Sequence, residues 1–282
     1  VCGRMIMARK FSLIHTSAFQ NLILDMPLLI LAALFVLVAM AYASVGFGGG
    51  STYNALLILS GMDYRLVPAI ALSCNILVVG GGVYHYARAG SLSAGQLLPF
   101  VVLSVPMAWL GGSLAVSEQV FIGLLGFSLL VAAVQMLLKS QAGFTQQHKP
   151  GASYWLVAAP VGGIIGFFAG VTGIGGGIFL APIIYFLHLA PARTVAGITS
   201  GFILVNSVAG LSGQLMKTGE YSPLEGWIQA WPLFIAVIIG GQIGSHLGAY
   251  KLPEIWIKRL TAILMFYVAV RLIWYWGELT LV

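Results

Sequence analysis

The sequence predicts an all-α integral membrane protein of about eight transmembrane helices, arranged as two four-helix repeats that each contain a glycine-rich broken or re-entrant half-helix. Of its 282 residues, 60% are hydrophobic and only 7% are charged, whereas a soluble domain carries roughly 25% charged residues. Long apolar runs recur along the whole chain, and one glycine motif occurs twice. A chain with so few charges cannot build a soluble surface, so most of its surface must face lipid.

Eight apolar runs approach the length of about 20 residues that crosses a bilayer as a helix. They cover residues 27–45, 66–87, 97–116, 119–138, 154–171, 194–215, 230–250 and 257–276. None alternates in polarity as a transmembrane strand would. Two further apolar stretches, 51–61 and 177–189, are too short to cross comfortably alone, and we predict them to be half-helices.

An internal duplication is the next signal. The motif G-F-G-G-G at Gly46–Gly50 returns as G-I-G-G-G at Gly173–Gly177, 127 residues later. The same offset brings further residues into register: Ala69 with Ala196, Ser73 with Ser200, and Ile76–Val78 with Ile203–Val205. A two-residue insertion then aligns Gly111–Gly112 with Gly240–Gly241. These matches predict two repeats of one ancestral unit.

The longest polar stretch separates these repeats. We therefore divide the chain into a basic N-terminal tail (1–26), a first transmembrane repeat (27–138), a polar linker (139–153) and a second transmembrane repeat (154–282). If each half-helix dips into the membrane and returns, each repeat crosses four times and the repeats are parallel. If it crosses, each repeat crosses five times and the second repeat is inverted. We favour four crossings in each repeat, and therefore parallel repeats.

The paired glycine motifs predict an anion site. Glycine clusters interrupt helices, and the freed backbone groups must line an enclosed or wet cavity rather than lipid. The half-helix that follows begins with unpaired amides and a partial charge of about +0.5. Two such ends meeting near the midplane would bind an anion without a fixed cation. The alternative is that the glycines only allow helices to cross closely.

The predicted substrate-binding residues are the two breaks and the uncharged polar side chains beside them or in the following span. They are Gly48, Gly49, Gly50, Ser51, Ser73, Asn75, Thr172, Gly175, Gly176, Gly177, Thr199, Ser200 and Asn206. Their hydroxyl and amide groups can replace the hydration of an oxyanion. Alternatively, the hydroxyls bond to their own helix and the asparagines to a neighbouring helix. Arg65 and Arg193 open the spans after the half-helices, where they either attract an anion or anchor a helix end.

Other chemistry is weakly supported. All seven carboxylates fall near span ends or in loops, although a proton pump or a cation site would place carboxylates inside the membrane. His85 and His246 lie close to span ends and are the candidates for proton coupling, with a structural role as the alternative. The two cysteines, Cys2 and Cys74, have no metal-ligand spacing. We expect no metal, no cofactor, no nucleic-acid partner and no enzymatic activity, because no nucleophile lies beside a base and no basic patch contains interleaved aromatic residues.

These motifs resemble the sulfite exporter TauE/SafE family. The resemblance covers about residues 27–276 and is carried by the duplicated G-x-G-G-G, the A-G-I-T-S at Ala196–Ser200, the N-S-x-x-G at Asn206–Gly210 and the G-G of the next span. The first repeat departs from the pattern, because Val79 and Gly80 stand where the second repeat has the Asn-Ser pair.

The resemblance implies a multi-pass protein of a bacterial inner (plasma) membrane that moves a small sulfur-containing anion such as sulfite, sulfoacetate or another organosulfonate. An inside-negative potential expels anions at about 2.3 kcal/mol per charge per 100 mV, which favours export. Membrane lipid is the expected surrounding partner, and the oligomeric state is left open. The alternatives are a transporter of a different small organic anion or of an uncharged solute, an intramembrane enzyme, and a non-transporting scaffold.

Overall fold

The computed structural model describes residues 28–60, 62, 66–114, 130, 134, 152–186, 189–216 and 223–280. Its helices are α1 (Leu28–Ala43), α2 (Gly50–Leu59), α3 (Val67–Arg88), α4 (Ala94–Ser113), α5 (Ala152–Thr172), α6 (Gly177–Phe186), α7 (Ala192–Leu215), α8 (Pro223–His246) and α9 (Glu254–Thr280). A five-residue π-helical turn, Leu247–Lys251, extends α8. The described residues contain no strand.

Five segments are long and apolar enough to cross a membrane: Val67–Arg88, Ala94–Ser113, Tyr154–Thr172, Ala192–Leu215 and Ala230–Lys251. They make the chain a multi-pass membrane protein, as the hydrophobic composition predicts. Nearly all of the predicted span 119–138, the tail and most of the linker lie outside the described residues. The presence of all eight predicted apolar spans therefore stays a prediction.

Both glycine motifs interrupt the helices as expected. We call residues 44–49, between α1 and α2, the first break, and residues 173–176, between α5 and α6, the second break. The first break turns at Gly46 (φ +83°) and Gly49 (φ +88°), and the second has φ values of +72° to +80° at Gly173, Gly175 and Gly176. These angles lie in the left-handed region, which glycine adopts without steric cost. The half-helices α2 and α6 have ten residues each.

Contacts between helices determine which way each one runs. Helices α1 and α8 are parallel, and so are α4 and α5, because the residue numbers of successive contacts increase in the same direction along both helices of each pair. The contacts are Gly240 with Val36, Gly244 with Met40 and Gly248 with Ser44, then Gly162 with Phe100, Gly166 with Ser104 and Gly170 with Ala108. At each of these glycines the neighbour's backbone occupies the space that a Cβ would take. Small residues at such interfaces let membrane helices approach closely.

The central helices α3 and α7 run in opposite directions. Gly82 of α3 contacts Ser200 early in α7, whereas Leu72 contacts Gly210 near its end. Further contacts place α3 parallel to α8 and α4 parallel to α7: Val78 with Gly241, Leu66 with Gly226, Leu97 with Gly201, and Trp109 with Gly213. Helices α1, α3 and α8 therefore run one way, and α4, α5 and α7 run the other way.

The favoured parallel arrangement of the repeats is consequently wrong, because α1 and α5 begin the two repeats in opposite directions. The reason is the path of the half-helices. Helix α2 folds back along α1, with Tyr53 stacked on Phe35 at a centroid distance of 4.7 Å. Leu57 shares an apolar cluster with Leu31 and with Val67, the first residue of α3. Although short, α2 returns the chain to the face where α1 begins, so α3 repeats the direction of α1.

The packing exchanges helices between the repeats. Helix α8 of the second repeat packs on α1 and α3, and α4 of the first repeat packs on α5 and α7. We call α1, α2, α3 and α8 the first bundle, and α4, α5, α6 and α7 the second bundle. The first bundle has a continuous apolar core around Phe35, Tyr53 and Val237, and the second has one around Phe100, Ile165 and Phe202. The packed units thus differ from the sequence repeats.

Candidate functional site

The two breaks approach from opposite faces and each enters the opposite bundle. Val45 and Phe47 of the first break lie within the apolar core of the second bundle, and Gly46 packs against the backbone of Ala196. In the second break, the position that a Cβ on Gly173 would take lies 2.9 Å from Cα of Pro68, at the start of α3. Both breaks therefore lie at the interface between the bundles.

The N-termini of the half-helices meet at this crossing. A Cβ added to Gly50 would lie 3.0 Å from the carbonyl oxygen of Gly173. The first hydrogen bonds of α2 run from the amides of Thr52 and Tyr53 to the Gly49 carbonyl, both at 3.0 Å. Those of α6 run from Phe179 and Leu180 to the Gly176 carbonyl, at 3.1 and 3.2 Å. The amides that precede these donors have no carbonyl partner within their own helix, so each half-helix presents donors to the crossing.

Asn75 occupies the centre of the crossing. Its side chain is fully buried and packs against Gly48 and Gly50 of the first break. Its Nδ2 donates a hydrogen bond of 3.2 Å to the carbonyl of Ile174 in the second break. The same nitrogen lies 3.0 Å from the position that a Cβ on Gly175 would take. One amide side chain thus contacts both breaks.

Several buried polar atoms near the crossing have no hydrogen-bond partner. They are Asn75 Oδ1, Asn54 Oδ1, Tyr53 Oη, Asn206 Oδ1 and Ser207 Oγ. An unsatisfied buried polar group costs roughly 1–3 kcal/mol, so a concentration of such groups indicates a place where a polar ligand or water is bound. Ser207 Oγ lies 2.9 Å from the Cβ position of Gly175. Asn206 precedes it on α7 and donates to the Phe202 carbonyl of its own helix at 2.8 Å.

The predicted hydroxyl groups fall into two sets. Thr199 and Ser200 reach the first break: Ser200 donates to the carbonyl of Gly46 at 3.1 Å, and Thr199 Oγ1 lies 3.2 Å from the same oxygen and 2.8 Å from the carbonyl of Val195 in its own helix. They satisfy a carbonyl group that the break has freed from its helix. Ser73 and Thr172 instead donate to carbonyl groups of their own helices, both at 2.8 Å. Ser51 is half-buried in the first turn of α2.

Of the two predicted arginines, Arg193 belongs to the described residues and Arg65 lies outside them. Arg193 donates from Nη2 to the carbonyl of Leu252 at 2.8 Å, which ties the start of α7 to the segment before α9. This contact favours the anchoring role for Arg193. The two histidines come together: the rings of His85 and His246 have centroids 5.5 Å apart across α3 and α8.

The sequence analysis missed several polar residues at this interface. Asn54 donates from Nδ2 to the Thr172 carbonyl at 2.8 Å and so ties α2 to the end of α5. Arg271 is half-buried in α9 and lies within electrostatic range of the Tyr42 hydroxyl, which shares a 3.0 Å hydrogen bond with Thr52 of α2. An arginine inside the predicted span 257–276 was the available signal, because a charge within a membrane segment is costly and usually functional.

Charge at the crossing favours an anion over a cation. The carboxylates in the described helices are Glu225, Glu254 and Glu278, and all three lie at helix ends. No cluster of three or more metal-ligating side chains occurs among the described residues. What the crossing offers is amide and hydroxyl donors together with two helix N-termini, which suit an oxyanion.

Comparisons with known proteins agree with a transport role. Residues 31–272 match the family model described as "Sulfite exporter TauE/SafE". The chain is 35% identical over 248 residues to the probable membrane transporter protein y4hK of Sinorhizobium fredii, covering 86% of this chain and 97% of the relative. It is 28% identical over 258 residues to the probable membrane transporter protein ORF9 of a Sinorhizobium species, covering 88% and 94%.

A more distant relative extends this agreement. The probable membrane transporter protein YunE of Bacillus subtilis is 26% identical over 249 residues, which cover 79% of this chain and 88% of the relative. No solved structure matches the chain significantly. With a family model matched over most of its length and its apolar helices crossing the membrane, this chain is a membrane transporter and belongs to the sulfite exporter TauE/SafE family.

Proposed function

We propose that the protein exports a small sulfur-containing anion, such as sulfite, sulfoacetate or another organosulfonate, which binds between the two breaks. The observation that carries this proposal is the meeting of the two half-helix N-termini at Asn75. The first amides of both half-helices lie close to one buried point, and Glu225, Glu254 and Glu278 belong to the end turns of α8 and α9. The printed description of the matching family, sulfite exporter, supports the choice of a sulfur oxyanion.

The donors fit the chemistry of such an anion. Sulfite and sulfonate groups present three oxygen atoms, each of which loses hydration when it enters the membrane and needs a replacement donor. The amides at the starts of α2 and α6 approach from two sides, and Asn75 Nδ2 and the Ser207 hydroxyl add side-chain donors. Helix-end donors carry partial rather than full positive charges, so they replace the hydration of an anion and still allow its release.

Access would alternate by motion of one bundle against the other. Rocking of one sequence repeat against the other would separate α1 from α8 and α4 from α5, whose backbones touch at three glycines each. The two bundles meet along α3 and α7 and at the breaks, where some polar groups are unsatisfied. Because the half-helices run toward opposite faces, a tilt at this interface would open the crossing to one face while closing it to the other.

Thermal stabilisation of the purified protein tests the binding step. A ligand that binds only the folded state stabilises it by about 2.7 kcal/mol at one hundred times its Kd. We expect a selective shift of the melting temperature with sulfite, sulfoacetate or another sulfonate, and none with sulfate or simple carboxylates. A shift with carboxylates alone would instead assign a different organic anion. No shift with any anion, in protein that is folded and responds to added lipid, would contradict the proposal.

Flux measurements then test transport. Reconstituted vesicles loaded with the anion identified by thermal stabilisation should release it, and an inside-negative potential should accelerate export of a net charge. The control is Ser113→Ala, because Ser113 lies at the end of α4 and its hydroxyl bonds to Leu110 of its own helix. Release no faster than from protein-free vesicles would contradict export.

A further inference from the structure

A ring cluster joins the ends of α3 and α8 in the first bundle. The rings of His85 and His246 meet edge to face at a centroid distance of 5.5 Å. Tyr250, in the π-helical turn, lies 5.0 Å from the ring of His246 and 6.1 Å from that of His85. Tyr84 contacts His85 from the same helix at 5.3 Å. We call His85 and His246 the histidine pair.

The histidine pair lies at the surface of the protein and has a hydrogen-bond partner. His246 is exposed and His85 is half-buried, and both lie near the end of a spanning segment. Nε2 of His85 lies 3.0 Å from Oε1 of Gln242 on α8. That oxygen accepts a hydrogen bond whenever Nε2 carries a proton, so a charged His85 keeps its partner. Imidazole is the side chain whose charge changes between about pH 5 and 8.

The surrounding charges limit the pair to one proton. The other titratable or charged groups on the elements around it are Cys74, Tyr84, Tyr86 and Arg88 on α3, Glu225 on α8, Tyr250 and Lys251 on the turn, Tyr42 on α1, Tyr53 on α2 and Arg193 on α7. Arg88 donates to the Tyr84 hydroxyl at 2.8 Å. Two cationic rings in contact repel each other, so binding of the first proton opposes binding of a second.

The end of α3 that carries His85 also holds the first break. Tyr86 donates from its hydroxyl to the carbonyl of Ser44 at 2.9 Å. Gly82 contacts Ser200, whose hydroxyl donates to the Gly46 carbonyl. Gly81 packs against the side chain of Gln242, the hydrogen-bond partner of His85. These contacts link the histidine pair to the first break through the end of α3.

We propose that His85 and His246 together bind one proton, and that this proton binding is coupled to anion binding between the breaks. The coupling rests on the proposed function. A proton on either ring places a positive charge at the helix end that holds the first break, which favours an anion there. By linkage, the bound anion raises the proton affinity of the pair by the same factor.

Magnetic resonance of the histidine rings tests this directly. The chain has five histidines, and His85→Gln and His246→Gln identify the two signals. We expect the rings of full-length protein to titrate together, taking up one proton. Methanesulfonate, whose charge is constant over this range, should raise the midpoint by about half a pH unit or more, equivalent to about threefold coupling. Independent titration of the rings, or a midpoint that methanesulfonate leaves unchanged while it stabilises the protein, would overturn the coupling and leave the proposed anion site intact.

The same variants test the consequence for anion binding. In the unsubstituted protein the affinity for methanesulfonate should rise at least threefold as pH falls through the titration of the pair. His85→Gln and His246→Gln should bind methanesulfonate with an affinity that no longer depends on pH. His148→Gln, in the predicted linker, is the matched control and should keep the dependence. Retention of the dependence in both test variants would refute the proposal. Absence of stabilisation by every sulfur anion would refute the proposed function, and the coupling with it.

Discussion

Asn75 of α3 donates a hydrogen bond of 3.2 Å to the carbonyl of Ile174, a residue of the second break that lies 99 positions later in the chain. This bond links the two bundles at the point where the half-helices begin. The acceptor atom of the same side chain, Oδ1, is buried without a partner. Asn75 is therefore a structural link between the bundles, and the second N–H of its Nδ2 is the group that can donate to an anion.

Asn75→Ala should lower anion affinity by roughly ten- to a hundredfold. A hydrogen bond to a charged group contributes about 1.5–3 kcal/mol, and alanine removes the donor. The measurement is the concentration of sulfite or sulfonate that gives half of the maximal thermal stabilisation. Ser73→Ala is the control on the same helix, because its hydroxyl bonds to Ala69 of its own helix; it should stay within about twofold. Equal effects of both substitutions would contradict the central role of Asn75.

Gly175→Leu should abolish transport, and Gly175→Ala should reduce it at least tenfold. Gly175 has a φ of +80°, which side chains rarely adopt, and an added Cβ would lie 2.8 Å from Ile203 Cγ2 and 2.9 Å from Ser207 Oγ. Gly80→Ala is the matched control, since a Cβ there would meet nothing within 4 Å and alanine favours the helix. Anion flux across vesicle membranes, corrected for the amount of folded protein, distinguishes the Gly175 variants from the Gly80→Ala control. Wild-type flux through the Gly175 variants would contradict a site at the second break.

The breaks and half-helices were predictable because their causes are local. A cluster of glycines in an apolar run has one structural consequence wherever it occurs, and the positive φ angles at Gly46, Gly49 and Gly175 follow from it. The direction of the second repeat was not predictable in this way. Hydrophobicity is the same for a helix that runs inward or outward. The direction depends on whether α2 returns the chain to the face where α1 begins. Contacts such as the stacking of Phe35 on Tyr53 determine this path.

The roles of individual polar side chains could not be predicted from the sequence either. Thr199 and Ser200 were predicted to face a ligand, yet they contact the carbonyl of Gly46, which is more than 150 positions away. The histidines could be singled out one at a time, but their contact depends on α8 of the second repeat packing against α3 of the first. Asn54 and Arg271 were not among the predicted site residues, because that prediction was based on the duplicated motifs and neither residue belongs to one.

Cross-linking the bundles to each other should block transport, whereas cross-linking within one bundle should not. The Cβ position of Gly82 lies 3.5 Å from Cβ of Ser200 across the bundle interface. The Cβ position of Gly241 lies 3.4 Å from Cβ of Val78 inside the first bundle. A disulfide needs a Cβ separation of about 3.5–4.5 Å, so both Gly82→Cys with Ser200→Cys and Val78→Cys with Gly241→Cys should form one.

The measurement is flux before and after reduction, in protein without Cys2 and Cys74. Oxidation should lower flux at least tenfold in the Gly82–Ser200 pair and reduction should restore it, while the Val78–Gly241 pair should be insensitive. Comparing the two redox states of one variant removes any effect of losing the Ser200 hydroxyl. Full flux through the oxidised Gly82–Ser200 pair would show that the bundles do not move against each other there.

Arg271→Gln should reduce the rate of anion transport several-fold and make the remaining rate less sensitive to salt. Arg271 lies within electrostatic range of Tyr42, whose hydroxyl bonds to Thr52 in the first turn of α2. A positive charge there attracts an anion toward the crossing, and ionic strength screens this attraction. Arg259→Gln is the control on the same helix, because Arg259 is exposed and lies over the ring of Trp256 at 5.6 Å. Flux at low and at high salt should separate the two variants, and an equal response of both would remove Arg271 from the anion path.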